Sequence, residues 1–154
     1  DIDKLAELRD KLRDAKDAYW SEVVDIQRQV AAAWVLHAEG KHADALKAMG
    51  AAADAEDKTE KHPVTPGPLA PARELYGAML LERGLAEQAL TAFEATMAKE
   101  PNRYNGLAGA AQAAATLGDK AKAKAHYSRL VGLAGGSGAD RRELAVARQF
   151  LAQN

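Results

Sequence analysis

There is no cysteine in this chain of 154 residues. Disulfides, thiolate metal sites and cysteine nucleophiles are therefore excluded, and cytoplasm and periplasm fit equally well. Aromatic residues make up only 5 %. Proline is confined almost to one place: Pro63, Pro66, Pro68 and Pro71 crowd together, and Pro101 stands alone. Neither sign of charge dominates, since 21 Lys and Arg face 22 Asp and Glu for a net charge of −1. No long one-signed run occurs, which argues against nucleic acid, a partner that needs a basic face. The longest apolar run, VAAAWVL from Val30 to Leu36, falls far short of the roughly 20 residues that cross a bilayer. No signal-peptide pattern is visible. The expectation is a soluble protein, cytoplasmic or periplasmic, with no membrane insertion. Because the chain starts at Asp1 rather than Met, it is expected to be a fragment of a longer protein.

What is abundant is alanine, 36 of the 154 residues. Alanine has the highest helix propensity, and small side chains let helices approach closely. Apolar residues recur at helical spacing. Ile2, Leu5, Leu8 and Leu12 mark a first helix over 2–15. Tyr19, Trp20, Val23, Val24, Ile26, Val30 and Trp34 mark a second over 17–39, with a break near Lys16 that no Gly or Pro enforces. Gly40 reads as a helix C-terminal stop. A third helix is expected over 43–55, four more over 70–83, 86–99, 103–117 and 120–134, and a last one over 139–152 after GGSG. Period-two alternation is absent. The class is all-α, with about seven to eight helices and no strands.

The chain also repeats itself. GLAEQALTAFEATM at 84–97 aligns with GDKAKAKAHYSRLV at 118–131, so that Gly84, Ala89 and Phe93 map onto Gly118, Ala123 and Tyr127, each 34 residues on. With Gly77 and Pro101 in register, this resembles the tetratricopeptide repeat (TPR) family, built of helix-turn-helix units of that length. An earlier unit is visible in GKHADALKAMGAAA at 40–53, where Gly40 and Ala45 keep the register, Met49 stands for the usual aromatic, and Gln29 replaces another. Its spacing to the next unit is ten residues too long, and the excess is the proline-rich stretch. EDKTEKHPVTPGPLAP thus reads as a lengthened loop between repeats, with Pro71 in the first turn of the following helix, where proline is tolerated. The loop is similar to one in alanine-rich bacterial members of the family, a likeness that carries a fold and not a function.

The resemblance implies a right-handed helical solenoid forming a single domain over 1–154. The expected parts are an N-terminal helical extension (1–25), a degenerate repeat (26–59), the inserted loop (60–69), repeats at 70–103 and 104–137, and a capping helix at 138–154. It also implies a concave groove lined by the first helix of each unit. By register the lining is Gln27, Val30, Trp34 and His37, then Pro71, Glu74, Ala78 and Leu81, then Asn105, Ala108, Gln112 and Ala115. The family's carboxylate clamp uses Lys and Asn where this chain has Val30, Glu74 and Ala108, so that clamp is not expected. The groove would take an apolar or amphipathic helix or peptide.

Other candidates are weighed beside it. Glu56, Asp57, Glu60 and His62 combine carboxylates with imidazole and offer a divalent cation site; a solvated helix end explains them as well. Pro63, Val64 and Leu69 are expected either to present a recognition loop or to pack over the first unit. His37 and His42 are placed to approach across the Gly40 turn. Ser21, Ser128 and Ser137 lie in no nucleophile motif, and no phosphate loop or dinucleotide fingerprint is present. The function expected is a non-catalytic protein–protein interaction scaffold with no cofactor. The alternatives are a self-associating structural module, a possible homo-oligomer pairing through Ile2–Leu12, and a metal- or small-ligand-binding domain at 56–62.

Overall fold

The computed structural model describes residues 1–60, 67–135 and 141–153. Among them are eight helices and no strand: α1 (Ile2–Asp14), α2 (Ala18–Ala38), α3 (His42–Lys58), α4 (Ala72–Glu82), α5 (Ala86–Lys99), α6 (Tyr104–Thr116), α7 (Lys120–Ala134) and α8 (Arg142–Gln153). The chain is all-α. It divides into two compact units, Asp1–Tyr76 and Gly77–Asn154.

Four turns between successive helices share one backbone device. Lys16, Gly40, Gly84 and Gly118 have φ of 59°, 78°, 74° and 76°. After each, the next N–H reaches back to the last turn of the preceding helix. Asp17 donates to the Leu12 carbonyl at 2.9 Å, Lys41 to Leu36 at 2.9 Å, Leu85 to Leu80 at 3.0 Å and Asp119 to Ala114 at 3.0 Å. These bonds satisfy carbonyls that would otherwise be orphaned at a helix end. Asp17 and Asp119 also cap the following helix, accepting from the backbone N–H of Trp20 (3.2 Å) and Lys122 (3.0 Å).

In the first unit α2 packs on both α1 and α3. Ile26, Val30 and Ala33 of α2 meet a face of α3 made of Ala45, Met49, Ala52 and Ala53, all buried. No residue of α1 is buried. Half-buried Ile2, Leu5 and Leu12 tie α1 down together with polar contacts: Arg9 donates to Asp25 at 3.0 Å and the Ser21 hydroxyl donates to the Arg9 carbonyl at 3.3 Å. The tip of α3 holds the start of α4. The Ala72 N–H donates to Glu56 at 2.5 Å, and Arg73 donates to Asp57 at 2.6 Å and Asp54 at 2.5 Å.

In the second unit α6 is packed between α5 and α7, and α8 closes on α7. Burial on two sides explains why α6 reads YNGLAGAAQAAAT, with Gly106, Leu107, Ala108, Ala110, Ala111, Ala113 and Ala114 all buried. Phe93 of α5 fills the space beside two glycines, Gly77 and Gly109. Leu130 and Leu144 are fully buried in the packing of α7 and α8, and the Tyr127 and Phe150 rings lie 5.1 Å apart. A large apolar side chain buried this way stabilises by roughly 1.5–3 kcal/mol.

The structure corrects several sequence boundaries. α3 runs on to Lys58 because Ala55, Glu56 and Lys58 are good helix formers and no Gly or Pro interrupts the segment. α4 begins at Ala72, so Pro71 lies just before the helix and its carbonyl accepts from Leu75 at 3.1 Å. The last helix begins at Arg142. Leu69 is 95 % exposed and does not pack over the first unit; Pro63 and Val64 lie outside the described residues.

Candidate functional site

The first-helix positions singled out by register fall into two classes. Val30 of α2, Glu74 of α4 and Ala108 of α6 are buried, as is Pro71. Gln27, Trp34, His37, Ala78, Leu81 and Ala115 are half-buried, and Asn105 and Gln112 are exposed. On α2 the helical spacing of three and four residues brings Gln27, Val30, Trp34 and His37 onto one face. Trp34 and His37 stand edge to face with ring centroids 5.5 Å apart. On α6, Asn105 and Gln112 flank the alanine floor of Ala108 on the same row. The two rows differ in chemistry: an aromatic plate on α2, and amide groups over small residues on α6. An aromatic plate offers apolar contact at low entropy cost, and side-chain amides can both donate to and accept from a passing backbone.

The approach of His37 and His42 across the Gly40 turn is found, with ring centroids 4.9 Å apart and planes inclined by 60°. The acidic loop cluster is not assembled as a cation site. Glu56 and Asp57 are taken up by Ala72 and Arg73, and Glu60 is exposed. His62 lies outside the described residues. Among the described residues no group of three or more His, Cys, Asp or Glu is arranged to hold a metal ion. No helix among them is long and apolar enough to cross a membrane.

Asp25 is the electrostatic centre of the first unit. Burial, which alone would raise its pKa, is outweighed by hydrogen bonds from Arg28 (2.8 Å), Gln29 (2.7 Å) and Arg9 (3.0 Å), and the pKa falls to about 2. Beside it lies a cleft of about 590 Å³ that sequence reasoning missed, bordered by Arg13, Lys16, Ser21, Ile26, Gln29 and Ala55. Its residues come from α3, from α2 and from the end of α1 with the turn that follows, so no local spacing marks it. Gln29, standing where an aromatic was expected, was the one signal available.

No protein-family model matches this chain, and no curated relative does. Solved structures do. PcrH from Pseudomonas aeruginosa is similar, with a TM-score of 0.64 and 22 % identity over 84 % of this chain and 90 % of that one. PcrH in complex with the chaperone binding region of PopB gives a TM-score of 0.64 and 23 % identity over 82 % of this chain and 94 % of that one. At such identity the likeness bears on the fold, which is that of a TPR-like helical repeat protein.

Proposed function

We propose that this chain is a protein–protein interaction scaffold without chemistry of its own. It holds a peptide or helix of a partner protein against the first-helix faces of its repeats. The contacts on the first unit are Gln27, Trp34 and His37, and those on the second are Ala78, Leu81, Asn105 and Gln112; Val30, Glu74 and Ala108 of the same rows are buried and support these faces from beneath. The repeats themselves are assigned to 26–59, 70–103 and 104–137. Within their own units, α1 covers α2 and α8 covers α7. The observation that carries the reading is Trp34, a large aromatic left half-open on a row whose neighbour Val30 is core. PcrH, a chain of similar fold, has been solved with the chaperone binding region of PopB, which supports a peptide as the kind of ligand.

Affinity capture tests it. The bait is the wild-type chain beside a Trp34→Ala, Gln112→Glu variant shown to be folded by circular dichroism. Glu74 is left alone because a lysine at that buried position would threaten the fold. A protein retained by the wild type and lost by the variant supports the reading. Identical retention by both baits contradicts it.

Self-association is the second reading, favoured by α1, where Leu8 is 41 % exposed and no residue is buried. Sedimentation equilibrium decides it, and a mass independent of concentration rules it out.

A further inference from the structure

We propose that α1 leaves its own α2 and docks on the α2 of a second copy, so that two chains exchange their first helices. The inference rests on the self-association reading and names its surface. The fold itself shows what the surface accepts. The face of α2 that meets α1 carries Ser21, 7 % exposed, and Asp25. Arg9 of α1 donates to Asp25 at 3.0 Å, and the Ser21 hydroxyl donates to the Arg9 carbonyl at 3.3 Å. The α1 of a second copy carries the same groups in the same order and re-forms the same contacts. Arg28 and Gln29, which also donate to Asp25, belong to α2 and stay with it. Exchange therefore costs no contact between the two helices. It is reciprocal, so both sites are filled in a closed pair.

Two features make α1 the helix to exchange. The first is shallow packing. α1 buries no residue, whereas α2 and α3 of the same unit bury Ile26, Val30, Ala45 and Met49. Ile2, Leu5 and Leu12 are only half-buried, so undocking α1 exposes little apolar surface. The second is the joint. Ala15, Lys16 and Asp17 are all that separates α1 from α2. Lys16 holds φ of 59°, a left-handed backbone that its Cβ disfavours. The turns after α2, α4 and α6 place glycine there and carry no such strain. A short joint under strain invites exchange, because opening it relieves Lys16.

The test is complementary charge reversal, read by sedimentation equilibrium. In Arg9→Asp two carboxylates face each other between α1 and α2, and in Asp25→Arg two guanidinium groups do. Each variant alone should be monomeric. In an equimolar mixture, exchange sets the new carboxylate of one chain against the new guanidinium of the other, and the native Arg9–Asp25 pair forms at the second site. The mass should then double. Circular dichroism checks that each variant is folded. Deletion of Ala15 and Lys16 leaves the ion pair untouched but makes the joint too short for α1 to fold back, so that variant should be a dimer; it decides alone if a charge variant fails to fold. Lys16→Gly, which eases the turn, should favour the monomer. A mixture or a deletion variant that stays monomeric overturns the exchange. Equal dimerisation of each charge variant alone also overturns it, yet keeps self-association through another surface. A wild-type mass independent of concentration overturns both.

Discussion

The ring of Phe93 stands in the volume that a side chain on Gly109 would need: a Cβ there would lie 2.2 Å from Phe93 Cζ. The same ring would meet a Cβ on Gly77 at 3.0 Å. One aromatic of α5 thus sits between a glycine of α4 and one of α6. Gly to Ala inside an exposed helix normally stabilises by roughly 0.5–1 kcal/mol. Here the sign reverses. Gly109→Ala is expected to destabilise by about 1–3 kcal/mol, the usual effect of overpacking. Urea unfolding measures it, and a smaller loss in a Phe93→Leu background identifies the ring as the cause.

Asp25 makes stability depend on acid. Its pKa is lowered to about 2, beneath the ordinary value near 3.8. The unfolded chain therefore binds a proton before the folded one does. The contribution of Asp25 is fully present above the unfolded value and is lost as pH falls through the folded one. Asp25→Asn should lower stability at neutral pH and flatten the decline between about pH 5 and pH 2. Denaturant midpoints across that range report it.

Lys16 occupies a turn position held elsewhere by Gly40, Gly84 and Gly118, with φ of 59°. A left-handed backbone costs a residue with a Cβ roughly 1–2 kcal/mol, while glycine gives back part of that through the freer unfolded chain. Lys16→Gly should raise stability by up to about 1 kcal/mol, seen as a higher melting temperature.

The carboxylates at the tip of α3 brace α4. Arg73→Ala should cost roughly 1 kcal/mol, since its ion pairs with Asp54 and Asp57 are partly open to water. For the same reason Zn²⁺, Mn²⁺ and Ca²⁺ should leave the melting temperature unchanged. A cation that bound the native state would raise it.

Much of the fold was legible because its signals are local. Glycines mark the turns after α2, α4 and α6, alanine marks the close-packed faces, and the match of Phe93 to Tyr127 marks the repeat. What escaped has physical causes. The break after α1 was expected near Lys16 and is found there, but the device that makes it was not read: Lys16 takes a conformation that glycine usually takes, and Asp17 caps the next helix. Glu74 was read as a groove residue, yet it is 3 % exposed, because helical register gives a face and not its depth. The cleft beside α2 is made by missing bulk at Ala18, Ser21, Gln29 and Ala55. An absence shared among distant positions leaves no motif.

The most direct test of the scaffold reading is site-specific photocrosslinking in the presence of a cell extract. A photoreactive residue is placed at Gln27, His37 or Gln112 on the first-helix rows, and at exposed Ala51 or Ala125 on α3 and α7. The account predicts one discrete crosslinked protein from the first three positions and none from the other two. Crosslinking from Ala51 and Ala125 alone, or equally from all five, would contradict it.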